Sequence, residues 1–262
     1  MIASIKKVLR DLRKQYGKLL FFLAGREQKN TKHLKQLRNR YAGKRCFIVC
    51  NGPSLKATDL NRIHENGDLS FASNKIDKIF TYTKWRPTFY TIMDENYQYT
   101  LLETMNRIPA EVKFFRKNSY QVTQKVKGEV VWLNAKGDRK LLASPRFAED
   151  CTNGLYTIAT VTYAMFELAV HMGIKEMYII GCDNSYGLEK RKDGTVVNHG
   201  TASYFAGSDE KSSKVVGATW EMNIAYEYAR KYAESHGIRI YNATRGGHLE
   251  AFERIDFDEL FS

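Results

Sequence analysis

The tightest constraint on the fold is an alternation that runs the length of the chain: seven short apolar runs, with helical patterns between them. The first run, Cys46–Cys50, is apolar at every position and stops at Asn51-Gly52-Pro53-Ser54, which reads as a buried strand entering a tight loop. Further strands are predicted over Leu69–Ala72, Thr88–Met93, Glu111–Phe115, Glu129–Leu133, Met177–Ile180 and Ile238–Tyr241. Helices are predicted near Leu60–His64, Tyr97–Arg107, Leu155–Met172 and Thr219–His236. Strands alternating with helices predict a mostly parallel sheet covered on both faces, an α/β fold. The segment 155–172 is apolar nearly all round, with strong polarity only at Glu167 and His171, so it reads as a buried helix closed by Gly173. A chain of 262 residues, 43% hydrophobic and with four prolines, fills one such domain and excludes disorder along its whole length.

The formal net charge of +12 is concentrated at one end. Residues 1–45 hold 14 Lys and Arg against Asp11 and Glu27, whereas residues 46–262 hold 27 basic and 27 acidic groups. The body is therefore neutral, which argues against nucleic acid as its partner. Within the basic end, Ile5, Val8, Leu9, Leu12, Tyr16, Leu19, Leu20 and Leu23 recur at helical spacing, and Lys and Arg fill the other face. A basic amphipathic helix over 4–24 suits an anionic membrane surface, with docking on a partner or on the body as the other reading. A break at 25–30 and a second short basic helix over Thr31–Tyr41, ended by Gly43, complete an extension over 1–44, and the body spans 45–262. The longest early apolar run, Leu19–Ala24, is too short to span a membrane. Cys46, Cys50, Cys151 and Cys182 form no C-x-x-C pair and read as reduced core thiols of a cytoplasmic protein.

In an open α/β sheet, ligands bind beyond the carboxyl ends of the strands. Five predicted strand ends carry small, amide or carboxylate groups: Asn51-Gly52-Pro53-Ser54, Ser73-Asn74, Asp94-Glu95-Asn96, Gly181-Cys182-Asp183-Asn184 and Asn242-Ala243-Thr244. Gly52 leaves room for close approach of a ligand, and Ser54 suits either a phosphate or a capping role. Asn74 can pair with a base edge or a ribose. Asp94 and Asp183 suit sugar hydroxyls, or else structural bonds to loop amides. Thr152-Asn153-Gly154, placed ahead of the buried helix, is expected to cap it and to form an anion site there.

Phosphate-loop, dinucleotide and nucleophile-elbow motifs are missing, as is any Cys/His metal spacing. Asp256-Phe257-Asp258 reads as the cap of a C-terminal helix rather than a metal pair. No metal and no bound cofactor is expected. A leaving phosphate would then be neutralised by Tyr186, Lys190, Arg191 and Tyr204. His199 and His248, both in loops, are the candidate general bases.

Cys50-Asn51-Gly52-Pro53-Ser54-Leu55 resembles the N-G-P-S-L loop of the CMP-sialic-acid-dependent bacterial sialyltransferases. It is equally similar to the opening signature of the hydroxymethylpterin diphosphokinase (MptE-like) family. The resemblance continues through Ala72-Ser73-Asn74, 89–94, Thr152-Asn153-Gly154, 173–183 and 237–244, in the same order. It implies a single Rossmann-like, GT-A-type domain that needs no metal. Asn51, Gly52, Ser54, Asn74, Thr152, Asn153 and Gly154 would then contact the nucleotide, with Gly181, Asp183 and Tyr186 near its phosphate or sugar. Where those sialyltransferases place a His-Tyr pair, this chain reads Ser203-Tyr204, so His199 or His248 would have to supply the base. The function this implies is transfer of a sugar from a CMP- or nucleoside-diphosphate-linked donor to a glycan or lipid-linked acceptor of capsule or O-antigen type. Transfer would take place at the inner face of the plasma membrane, and an oligomer is compatible with it. The alternatives are an ATP-dependent pterin diphosphokinase and a nonenzymatic nucleotide-binding module.

Overall fold

The computed structural model describes residues 26–117, 120–137, 140–205 and 216–261, together with Leu12, Gln15 and Tyr16. Its centre is an eight-stranded sheet. Strands β1 (Arg45–Val49), β2 (Leu69–Ser73), β3 (Phe89–Ile92), β4 (Val112–Arg116) and β5 (Val130–Leu133) run outward in sequence order. Two small strands follow, β6 (Ala135–Lys136) and β7 (Leu155–Tyr156), paired with each other. The chain then returns to the far side of β1 as β8 (Glu176–Ile180). After a three-stranded flap of β9 (Leu188–Lys190), β10 (Val196–Asn198) and β11 (Val216–Gly217), the main sheet ends with β12 (Arg239–Asn242) and β13 (Glu253–Arg254). The order is β13-β12-β8-β1-β2-β3-β4-β5, and every pairing in it is parallel.

The apolar runs are continuous because both faces of the sheet are buried. Along β1, Cys46 and Ile48 point into one core and Phe47 and Val49 into the other. The first core is closed by α1 (Arg26–Leu37), α7 (Val161–His171) and α8 (Thr219–Ser235), the second chiefly by α2 (Ala57–Glu65) and the turn Ile76–Thr81. Between β3 and β4 lie α3 (Glu95–Thr100) and α4 (Leu102–Arg107), so the single helix predicted over 97–107 is broken at Leu101. The short helices α5 (Tyr120–Thr123) and α6 (Lys140–Ala143) sit in connections.

Two expectations are corrected. The second basic helix starts at Arg26 rather than Thr31, and it belongs to the body: Leu34 and Leu37 are buried in the first core. Buried Asn30 covers the open edge of β5, donating Nδ2 to the Trp132 carbonyl at 2.7 Å and accepting the Trp132 N–H at 2.6 Å. One side chain thus does the pairing a ninth strand would do, so the body begins no later than Arg26. The buried helix expected from Leu155 begins only at Val161, capped by Thr160, whose hydroxyl accepts the Thr162 N–H. Leu155-Tyr156 is drawn into a strand with Ala135-Lys136, and Ala159 has a φ of +56°, which a helix cannot contain.

Both polar groups of α7 are consumed internally. The Glu167 carboxylate accepts the N–H groups of Ala148 (2.6 Å) and Tyr156 (2.8 Å), and burial raises its pKa well above the usual range. His171 Nδ1 accepts the Cys151 N–H at 3.3 Å, so Nε2 carries the proton and donates to the Leu34 carbonyl at 2.9 Å, tying α1 to α7. Of the helix expected over 4–24, Leu12, Gln15 and Tyr16 are described; they are helical, with Leu12 and Tyr16 exposed, and the remainder lies outside the described residues. Among the described residues no helix is long and apolar enough to cross a membrane.

Candidate functional site at the switch point

The strand order reverses between β1 and β8: the chain leaves β1 toward β2 on one side and returns through β8 on the other. Loops at such a point diverge and leave a crevice beyond the carboxyl ends of the strands. A narrow pocket of about 100 Å³ opens there. Asn51 and Gly52 after β1, Ser73 at the end of β2 with Asn74 just beyond it, and Gly181 to Tyr186 after β8 line it, with Ser203 and Tyr204 from the flap connection. Helices close the remaining side: Thr160, Val161 and Thr162 open α7, and Met222 and Tyr226 lie one turn apart on α8.

Asp183 organises the floor. Its Oδ2 accepts the Ser54 N–H at 3.1 Å and the Ser54 hydroxyl at 2.8 Å. Gly52 donates its N–H to the Gly181 carbonyl at 2.8 Å. A Cβ at Gly52 would collide with Asp183 Oδ2 and stand 2.7 Å from the Gly181 carbonyl. The glycine is thus required by Asp183 itself; Asp183 accepts a loop amide, as its structural alternative has it, whereas Ser54 gives its hydroxyl to Asp183 and caps no helix. Pro53 is exposed and does not line the pocket.

The amides are arranged differently. Asn51 donates Nδ2 to the Ser73 carbonyl at 3.2 Å, and Asn184 donates Nδ2 to Asn223 Oδ1 at 2.7 Å. Both Oδ1 atoms are buried without a hydrogen-bond partner among the described residues. Such orphaned acceptors in a native site call for a ligand or water that donates to them. Asn74 holds a φ of +54°, and its carbonyl accepts the Tyr90 hydroxyl at 2.6 Å. At the other wall, the first turn of α7 presents the positive end of an 11-residue helix. Tyr186 packs its ring against Gly217 and reaches Met222 Sδ with its hydroxyl at 3.6 Å, and burial raises its pKa.

Several expected site residues lie elsewhere. Thr152-Asn153-Gly154 forms a 3-10 turn capped by Asp150, with Gly154 pressed against the Asn134 backbone beyond β5. The start of the buried helix sits instead at Thr160–Thr162, and the Ser/Thr cap before an apolar helix is the signal that marks it. Asp94 caps α3, accepting the N–H groups of Asn96 (2.7 Å) and Tyr97 (2.9 Å). His199 sits on the flap, its Nε2 3.1 Å from Glu189 Oε2, and Lys190 and Arg191 belong to the same hairpin; none of the three lines the pocket. His248 is exposed on the rim, where its N–H donates to the Asp183 carbonyl at 2.7 Å. Arg254 holds that rim loop by donating to the carbonyls of Gly246 (2.9 Å) and Gly247 (3.1 Å). Asp256 accepts the Asp258 N–H at 2.8 Å and acts as the expected cap. Among the described residues, no group of three or more His, Cys, Asp or Glu is placed to hold a metal ion. A larger groove of about 750 Å³ lined by His64, Tyr82 and Arg86 lies at the opposite edge, where the chain enters β2 and β3. It is served by connecting turns and has no strand carboxyl end.

The sequence matches the family profile described as 6-hydroxymethylpterin diphosphokinase MptE-like over residues 24–189, which is more than half of the chain. The chain belongs to the MptE-like family. That match starts just ahead of α1 and ends on β9, so it takes in β1, β8 and both loops of the switch point. The MptE-like fold seen here is similar to the structure of the MAf glycosyltransferase from Magnetospirillum magneticum AMB-1. The two share 15% identity and a TM-score of 0.51 over 88% of this chain and 38% of that one. The sialyltransferase CstII from Campylobacter jejuni, solved with cytidine-5'-monophosphate, is also similar, with 17% identity, a TM-score of 0.48, and coverage of 82% of this chain and 85% of that one. This chain thus spans well under half the length of the Magnetospirillum protein. No curated protein matches the sequence significantly.

Proposed function

We propose that the protein transfers a sugar from a nucleotide-activated donor to a glycan or lipid-linked acceptor, without a bound metal. The observation that carries the reading is the polarity of the switch-point pocket. One wall offers the positive start of α7, suited to a phosphate, and the floor and opposite wall offer the orphaned Oδ1 atoms of Asn51 and Asn184, suited to hydroxyls or N–H groups. A nucleotide carries both kinds of group on one molecule. The fold shared with a glycosyltransferase supports the same class.

In this reading Asn51, Asn74 and Asn184 hold the nucleoside and Thr160–Thr162 the phosphate. The hydroxyls of Tyr186 and Tyr204 stabilise the charge that develops as the donor bond breaks. Of the two candidate bases, His248 is the better placed, because its backbone is fastened to Asp183 at the rim over which an acceptor must enter. The basic segment before Arg26 would hold the enzyme at an anionic cytoplasmic membrane face, near lipid-linked acceptors.

The test is nucleotide release from CMP- and nucleoside-diphosphate sugars by the full chain, with acceptor sugars and a chelator present. Turnover should persist in the chelator. His248→Ala should lower kcat by about 10²–10⁴, whereas His199→Ala should leave it unchanged. The family description supports a second reading, transfer of diphosphate from ATP to a pterin. Turnover of ATP that stops with the chelator would establish that reading and overturn the first.

A further inference from the structure

Two of the four cysteines meet in the floor of the pocket. The N–H of Cys50 donates to the Ile180 carbonyl at 2.9 Å, so Cys50 continues the β1–β8 ladder. Gly181 then turns with a φ of +66° and lies so close that a Cβ there would stand 2.9 Å from the Cys50 carbonyl. That turn returns Cys182 to the face on which Cys50 lies, and both side chains enter the core under α7 and α8. Cys50 Sγ lies 3.5 Å from the Thr162 hydroxyl and Cys182 Sγ lies 3.6 Å from the Tyr226 hydroxyl, and the two thiols share the pocket floor and the core beneath it. Both line the pocket, with 9% and 8% of their surface exposed, whereas Cys46 and Cys151 are fully buried.

We propose that Cys50 and Cys182 form an oxidisable dithiol that reacts with small hydroperoxides entering the pocket and closes to an intramolecular disulfide. The partners differ in kind. The neighbouring Cys50 thiol and the Tyr226 hydroxyl hold the Cys182 thiol below its usual pKa, and Cys50 is correspondingly raised, so Cys182 is the nucleophile and Cys50 the resolving thiol. The Cys182 thiolate attacks one peroxide oxygen; the O–O bond breaks, the leaving alkoxide takes up the proton that Cys182 gave up, and Cys182 becomes a sulfenic acid. Cys50 sulfur then attacks Cys182 sulfur, the S–O bond breaks, and water leaves with the Cys50 proton. Two thiols and one hydroperoxide give one disulfide, one alcohol and one water. The sulfurs are oxidised by two electrons and the peroxide is reduced by two. The disulfide removes the thiols from the Thr162 and Tyr226 hydroxyls at the start of α7 and on α8, and so alters the phosphate wall; this consequence rests on the nucleotide reading given above.

The test treats the full chain with hydrogen peroxide, alkylates it after denaturation and maps the peptides by mass spectrometry. Two of the four thiols should be lost, a peptide joining Cys50 to Cys182 should appear, and dithiothreitol should restore both thiols. In Cys50→Ser, Cys182 should instead accumulate sulfenic and sulfinic forms under the same treatment. Four free thiols in the treated native protein, or a link through Cys46 or Cys151, would overturn the proposal. Thermal stabilisation by nucleotide should be lost in the oxidised protein and return on reduction. Equal stabilisation of both forms overturns the effect on the pocket. Absence of stabilisation even in the reduced protein counts against the nucleotide reading, and the peptide map then still decides the dithiol.

Discussion

At Gly52 a methyl group has nowhere to go: the Asp183 carboxylate and the Gly181 carbonyl already occupy the space. One of these obstacles is backbone, fixed by the β1–β8 pairing, and the other is tied to Ser54. Gly52→Ala should therefore cost about 1–3 kcal/mol by overpacking, read as a lower denaturant midpoint with an unchanged slope. An unaltered midpoint would show that the loop relaxes freely. The loop motif was legible in the sequence, but its reason was not. From the sequence Gly52 reads as a ligand contact and Asp183 and Ser54 stand between two roles, because Ser54 and Asp183, 129 residues apart, meet only once β1 and β8 pair. The same limit applied to Cys50 and Cys182, which read as separate core thiols until the ladder joined them.

On the scale of the element, α7 links the body to the site: its start forms a pocket wall and its end is tied through His171 to α1. Burial lowers the His171 pKa below its ordinary value of 6.5, and the neutral ring is already committed at both nitrogens. Below that ordinary value the unfolded chain takes up a proton that the folded chain refuses, so stability falls as the pH drops through it. The denaturant midpoint should decline between about pH 7.5 and about pH 5.5, and the decline should be smaller in His171→Gln, which cannot titrate. Equal declines would remove His171 from the account. The length of α7 was misjudged because Leu155–Ile158 is as apolar as a buried helix. Periodicity alone does not separate a short buried strand from a buried helix, and Thr160 was the cap that could have placed the boundary.

On the scale of the whole molecule, the sheet and its parallel sense followed from the alternation of runs, and all seven predicted strands are present in the main sheet. Strand order was not legible, and with it the switch point, because order is set by contacts between runs that no local pattern records. β13, two exposed residues long, left no apolar signal. The assignment of residues 26–44 to an appendage followed from charge, yet α1 buries Leu34, Leu37 and Asn30 while keeping Lys29, Lys32 and Lys35 outside. The central claim is that the β1–β8 crevice binds a nucleotide, and thermal unfolding tests it most directly. The full chain and its Asn51→Ala variant would be melted with CMP, UDP, GDP, ADP and ATP, with and without Mg²⁺. A ligand present at about 100 times its Kd adds about 2.7 kcal/mol. The account predicts that CMP or a nucleoside diphosphate stabilises the native chain without metal and that Asn51→Ala loses most of that shift. No stabilisation by any nucleotide, or an equal shift in the variant, would contradict it.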